Sequence, residues 1–188
     1  MSPRPERRWP PDFDRARIRH AAGLLLLYPI DAQPFVVLTV RSAAVRHSGQ
    51  VSLPGGVIEP GESHEEAALR EAHEEIGLAS DGVRLLGRLT PIDIPVSGFR
   101  LHPIVGALDV RPPLRPSDLE VSRIIEAPLT KLLDAAPVEW STRESNGVQH
   151  RVPSFRLDDD TVVWGATAMV IAELLALLGW TGPAPERS

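Results

Sequence analysis

The chain has 188 residues, enough for one domain with a sizeable buried core. It has no cysteine, which excludes a disulfide framework and a thiol nucleophile. The net charge of −5 gives no electrostatic reason to expect nucleic-acid binding, so recognition of an anionic substrate would depend on local arginines and bound metal.

Residues 1–19 carry six arginines (Arg4, Arg7, Arg8, Arg15, Arg17 and Arg19), but Glu6, Asp12 and Asp14 are too acidic for a transit peptide. The expectation is a flexible leader, a folded domain over residues 20–180 and a C-terminal tail over 181–188, in a cytoplasmic protein with no membrane partner. The first strand is predicted over Ala21–Leu27. The apolar run to Tyr28 is too short to span a bilayer and stops at Pro29. Strands over Phe35–Val40 and Val51–Leu53 follow, and then a loop punctuated by Pro54-Gly55-Gly56 and Pro60-Gly61.

Ser63 followed by Glu66 reads as a capping box, so a helix should begin near His64. Ala67, Ala68, Leu69, Ala72 and Ile76 recur at helical spacing and supply its buried side, and Gly77 is its stop. Further strands are predicted over Val83–Thr90, Leu101–Val110 and Glu120–Glu126, with a short helix opened by Pro128-Leu129-Thr130. A hairpin over Val148–Val163 turns at Asp158-Asp159-Asp160. The last helix starts near Trp164, itself read as a core residue, and Ala166–Leu178, interrupted by Glu173, reads as an amphipathic core helix. Strands mixed with two or three helices fit an α/β fold, a three-layer α/β/α sandwich.

The chemistry concentrates on the helix after Ser63. Glu71 lies four residues from Glu75 and three from Glu74, so the three carboxylates share one face, with Arg70 beside them. Like charges at that spacing cost roughly 0.2–0.5 kcal/mol per pair, a sign that a divalent cation would reverse. Oxygen-only ligands suit Mg²⁺ or Mn²⁺. The plainer alternative is a solvated acidic face on which Glu66 pairs with Arg70 one turn on. His73-Glu74 is no zinc-protease motif, because Gly77 stands where a second histidine is needed.

Gly56, Glu62, Arg70-Glu71, Glu74-Glu75 and Gly77, at these offsets, resemble the Nudix box of hydrolases that cut a nucleoside diphosphate linked to another moiety. The resemblance implies the Nudix fold, an α/β/α sandwich with a mixed central sheet. It makes Glu71 and Glu75 the first metal ligands, Glu74 a third carboxylate, and a backbone carbonyl at Gly55 or Gly56 a further ligand. Arg70 would orient a glutamate, and the general base is either Glu74 or an acid outside the box. Ala72 stands where the family usually has a larger aliphatic residue.

Upstream, Arg41-Ser42, Arg46 and Gly49-Gln50 before Leu53-Pro54-Gly55-Gly56 look like the extra motif of the coenzyme A pyrophosphatase branch, with Leu53 in place of the usual phenylalanine. Pro95-Val96-Ser97-Gly98-Phe99, Glu126-Ala127-Pro128-Leu129 and Trp164-Gly165-Ala166-Thr167 are similar to that branch as well. This implies cleavage of coenzyme A or its derivatives to 4′-phosphopantetheine and 3′,5′-adenosine bisphosphate, with Arg41, Arg46 and Gly55 as substrate contacts. The alternatives are a Nudix pyrophosphatase for ADP-ribose or a dinucleotide polyphosphate, and a non-catalytic nucleotide-sensing module. The sensor would be expected to have lost box glutamates, and this chain keeps all four.

Overall fold

The computed structural model describes residues 9–43, 49–117, 119–134, 138–145 and 148–180, with residues 134, 138–145 and 148–153 described by backbone alone. A single 3-10 turn over Arg15–Arg17, capped by the Asp14 carboxylate, leads into the first strand. The elements are β1 (Arg19–Ile30), β2 (Gln33–Arg41), β3 (Val51–Ser52), β4 (Gly55–Val57), α1 (His64–Ile76), β5 (Arg84–Arg88), β6 (Ile92–Ile94), β7 (Phe99–Ala107), β8 (Val121–Pro128), α2 (Leu129–Asp134), β9 (Val138–Ser145), β10 (Val148–Arg156), β11 (Val162–Trp164) and α3 (Gly165–Leu177). The first part of the expected leader (1–8) and the tail (181–188) lie outside the described residues.

The main sheet runs β3-β2-β1-β7-β5, with β8 against β2, β4 against β1 and β6 against β7. It is mixed: β1 and β7 are parallel and the other pairs antiparallel. The sequence of β1 explains its central position. Leu24, Leu26 and Tyr28 face one core with Ala67, Ala68, Ala72 and Ile76 of α1, while Leu25 faces the other core with residues of α2, α3 and β10. Both faces of the strand are therefore buried, which requires a near-continuous apolar run rather than alternation. Helices on both sides of a mixed sheet make the expected α/β architecture.

Four differences from the sequence reading have local causes. Gly55–Val57, read as loop, is a short strand, because Gly55, whose Cβ would run into the backbone of Ala22 and Gly23, lets it lie against Ala21–Gly23 of β1. The three residues of β6 are too few to show alternation. The predicted hairpin gains a third strand, β9, whose run Glu139-Trp140-Ser141-Thr142-Arg143-Glu144 is too polar to stand out. Helix α3 is buried on all but a narrow stripe through Ala166, Met169, Glu173, Ala176 and Leu177. Its one charge, Glu173, is taken up by the backbone N–H and hydroxyl of Thr90.

Two of the motif stretches turn out to organise packing. Glu126 Oε1 accepts a 2.8 Å hydrogen bond from the buried Tyr28 hydroxyl, and its carboxylate takes two more from Arg111. Ala127, Leu129 and Leu132 beyond it are buried in the second core. Trp164, only part-buried, is the N-cap of α3, and Gly165 adopts φ 73° at its start, a conformation that favours glycine. Among the described residues no helix is long and apolar enough to cross a membrane.

Candidate active site

Helix α1 begins as its sequence dictates. The Ser63 hydroxyl accepts from the Glu66 N–H and the Glu66 carboxylate accepts from the Ser63 N–H, a complete capping box. Gly77 closes the helix in the left-handed region at φ 66°. Glu66 is thereby committed to the cap and does not pair with Arg70, so the plain solvated-face arrangement does not form.

Arg70 instead gathers the acids of the box. Its Nε and Nη2 donate to the two oxygens of Glu62 at 2.8 and 3.1 Å, a bidentate pair. Nη1 donates to Glu71 at 2.9 Å and to Glu74 at 3.3 Å, and Nη2 also reaches the Val57 carbonyl at 2.9 Å. Hydrogen bonding to Arg70 holds the Glu62 carboxyl below the usual carboxylate range. One guanidinium thus ties the loop before the helix, the helix and β4 together.

The other side of the site is the glycine strand. A Cβ at Gly56 would stand 2.5 Å from both carboxylate oxygens of Glu71, so only glycine lets that carboxylate lie over β4. A Cβ at Gly55 would meet the Ala22 carbonyl and lie 2.6 Å from the Gly23 Cα. Gly55 N–H donates to Glu75 Oε2 at 3.1 Å. Glu75 is 4% exposed. Burial pushes its carboxyl up to about 7; the Gly55 hydrogen bond opposes this, the charges of Glu71 and Glu120 add to it, and Arg41 offsets it. Burial also raises Glu71, with Arg70 pulling the other way.

Glu71, Glu75, Arg70, Gly55 and Gly56 therefore come together, and Glu74 extends outward from the same face with its side chain 57% exposed. Arg41, at the end of β2, is near enough to act on Glu75. Arg46 lies outside the described residues. Sequence reasoning missed Glu120, an exposed carboxylate in the turn before β8 whose charge acts on both Glu71 and Glu75. Nothing local marks it. Arg115, Ser117 and Glu120 are brought there by long-range bonds: Arg115 N–H to the Ile76 carbonyl, Ser117 N–H to the Glu75 carbonyl and Ser42 N–H to the Glu120 carbonyl.

The donor set fits a hard divalent cation. It is all oxygen, with no histidine or sulfur, and it includes a buried carboxylate whose charge burial opposes. Among the described residues no three acidic or histidine side chains already converge on one point. Arg70 draws Glu71 and Glu74 toward itself, and Glu75 turns to the Gly55 N–H, so rotation of these side chains would be needed to share an ion.

Comparison with known proteins agrees with the geometry. A family model described as NUDIX domain matches residues 17–140. A Nudix hydrolase named NudL from Photorhabdus laumondii, described as uncharacterized, is 39% identical over 158 residues, covering 83% of each chain. The protein of the same name from Escherichia coli K12 is 35% identical over 173 residues, 90% of this chain and 88% of that one. Among solved structures, a Nudix hydrolase from M. smegmatis, RenU, gives a TM-score of 0.60 at 19% identity over 90% of this chain and 91% of that chain. A C. elegans Ap4A hydrolase gives 0.51 at 18% identity over 58% of this chain and 80% of that chain. At those identities the structural likeness establishes the fold alone.

Proposed function

Since the chain belongs to the Nudix hydrolase family, we propose that it is a metal-dependent pyrophosphatase acting on the diphosphate bridge of coenzyme A or a derivative. The observation that carries the coenzyme A reading is Arg41. This residue of the upstream motif is near enough to the buried Glu75 to act on its charge, which supports a role for it beside the face where a diphosphate would bind. A guanidinium offers a phosphate two hydrogen bonds, and coenzyme A brings a 3′-phosphate in addition to its diphosphate.

Glu71, Glu75 and Glu74 would hold Mg²⁺ or Mn²⁺, with a backbone carbonyl at Gly55 or Gly56. When bound, the metal supplies charge neutralisation at the phosphate oxygens and a lower pKa for water. The protein's own contribution is placement. Arg70 holds Glu71 Oε1 and the Glu62 carboxylate beside the site, Gly56 leaves room for the Glu71 carboxylate, and Arg41 would offer a cation to substrate phosphate. Water adds at one phosphorus and the P–O bond to the bridging oxygen breaks. The proton of that water passes to a carboxylate, for which the candidates are Glu74 in the box and Glu120 outside it. Glu120 takes precedence, because Glu74 shares the Arg70 guanidinium.

The test is a panel of diphosphates (coenzyme A, dephospho-coenzyme A, ADP-ribose and a dinucleotide polyphosphate) with Mg²⁺ or Mn²⁺, read by product mass. Coenzyme A should have the highest kcat/KM. Faster turnover of ADP-ribose or the dinucleotide would overturn the coenzyme A reading and leave the pyrophosphatase reading standing.

A further inference from the structure

Ser42 follows Arg41 at the point where β2 leaves the sheet. The β2–β8 pairing shifts register between Val40 and Arg41, and the skipped residue Ser122 donates from its hydroxyl to the Val40 carbonyl at 3.1 Å. Such a bulge bends a strand and re-aims the residues beyond it. Past this point the strands stay joined through Ser42. Its N–H donates to the Glu120 carbonyl at 2.9 Å and its hydroxyl to the Leu119 carbonyl at 2.6 Å. Ser42 is only 8% exposed, whereas Leu119 is 74% exposed and Glu120 is also on the surface. A buried side chain therefore grips a turn that has little packing of its own.

The same turn is tied on its other side to α1. Ser117 N–H donates to the Glu75 carbonyl at 2.8 Å and Val121 N–H to the Ser117 carbonyl at 3.1 Å. Ser117 is thus tied to the last turn of α1 and to Val121, and Glu120 to the end of β2. Among the described residues of this stretch, Glu120 has a charge that reaches the α1 glutamates.

We propose that Ser42 is a positioning residue for diphosphate hydrolysis: its hydroxyl and N–H lock the Leu119–Glu120 turn so that the Glu120 carboxylate faces Glu71 and Glu75 while the adjoining Arg41 borders the same cleft. This rests on the pyrophosphatase reading. It assigns to the serine of the Arg41-Ser42 pair a role that the arginine cannot fill, since a guanidinium in place of Ser42 would neither fit the buried position nor close the turn. Loss of this short, part-buried hydrogen bond frees the turn, and a carboxylate displaced by about 1 Å can cost on the order of 10²-fold in rate.

The test is a double-mutant cycle with whichever diphosphate the panel shows is cleaved fastest, so that a wrong choice of substrate leaves it intact. Ser42→Ala should lower kcat by about 10–30-fold while KM changes by less than about 3-fold, and Ser42→Thr, which keeps the hydroxyl, should recover most of the loss. On a Glu120→Gln background Ser42→Ala should add less than about 2-fold, because the group it positions is already disabled. Fully multiplying effects, or a Ser42→Ala enzyme within about 2-fold of wild type, would overturn the proposal. Should the alanine variant fold poorly, Ser42→Cys, similar in size but a weak donor, replaces it in the cycle. Hydrogen exchange gives a readout independent of substrate: the amides of residue 42 and Val121 should exchange at least about tenfold faster in the variant. Unchanged exchange would overturn the lock itself, and total absence of diphosphate cleavage would instead defeat the functional reading.

Discussion

Replacing Glu75 by glutamine should stabilise the metal-free protein at pH 8 and destroy its activity. The Glu75 carboxyl is pushed from an ordinary 4.5 up to about 7, first by burial and then by the Glu71 and Glu120 charges, against the Gly55 hydrogen bond and Arg41. A raised carboxyl means that the folded state holds more protons than the unfolded state between those two values. Stability contributed by this group therefore falls as pH rises from 4.5 to about 7 and stays reduced above it. At roughly 1.4 kcal/mol per pH unit the full cost is on the order of 3 kcal/mol. Glutamine keeps an oxygen for the Gly55 N–H but loses the charge-assisted part of that bond, about 1 kcal/mol, leaving a net gain of about 1–2 kcal/mol. For a chain of this size that is a Tm rise of about 2–8 °C. The assay is thermal unfolding of both proteins in chelator at pH 5 and pH 8, so that other titrating groups cancel in the difference. The gap should be small at pH 5 and open by pH 8. With Mg²⁺ added, the wild type should gain more Tm than the variant, because a ligand that binds the folded state stabilises it by mass action. A variant less stable than wild type at pH 8, or a gap independent of pH, would refute the reasoning.

Gly56→Ala would place a Cβ 2.5 Å from both Glu71 carboxylate oxygens, so kcat/KM should fall by at least about 10²-fold, as read in a steady-state assay. Arg41→Ala should lower kcat/KM for coenzyme A by about 10–100-fold, from the loss of a charge-assisted bond of roughly 1.5–3 kcal/mol. Comparison with dephospho-coenzyme A then tells whether the guanidinium serves the 3′-phosphate or the diphosphate. His102 stacks on His64 with ring centroids 4.0 Å apart and meets His20 nitrogen to nitrogen at 2.9 Å. Burial, followed by the charges of His64, His20, Arg100 and Arg88, pushes its imidazole down from 6.5 to about 4. The folded state then binds fewer protons across that window, so the stability this group contributes is present above pH 6.5 and lost as pH falls toward 4. His102→Phe keeps the stacking and should flatten that acid loss in chemical unfolding at pH 4.5, 5.5 and 7.

The features legible in the sequence were local. The capping box of Ser63 and Glu66, the Gly77 stop and the i, i+3, i+4 placement of Glu71, Glu74 and Glu75 are set by neighbours in the chain, and each has its counterpart in α1. Strand β1 was legible too, in its apolar run, but the burial of both its faces comes from α1 packing on one side and α3 on the other. Partnerships decided by the fold were not. Arg70 could have paired with Glu66, and the choice went to Glu62, because that loop glutamate folds back over the helix while Glu66 serves the cap. Glu120 and Ser42 meet across 78 residues of sequence by way of a bulge, a feature with no glycine or proline to announce it. Nor did the sequence separate Glu126 from the functional motifs, although its bonds to Tyr28 and Arg111 give it a structural part.

The most direct test is hydrolysis of coenzyme A in ¹⁸O-labelled water with Mg²⁺ or Mn²⁺, read by mass spectrometry. The expected products are 4′-phosphopantetheine and 3′,5′-adenosine bisphosphate alone, with the label in one of them and turnover abolished by chelation. Free phosphate as the main product, or label in neither fragment, would contradict a metal-dependent attack of water on the diphosphate bridge.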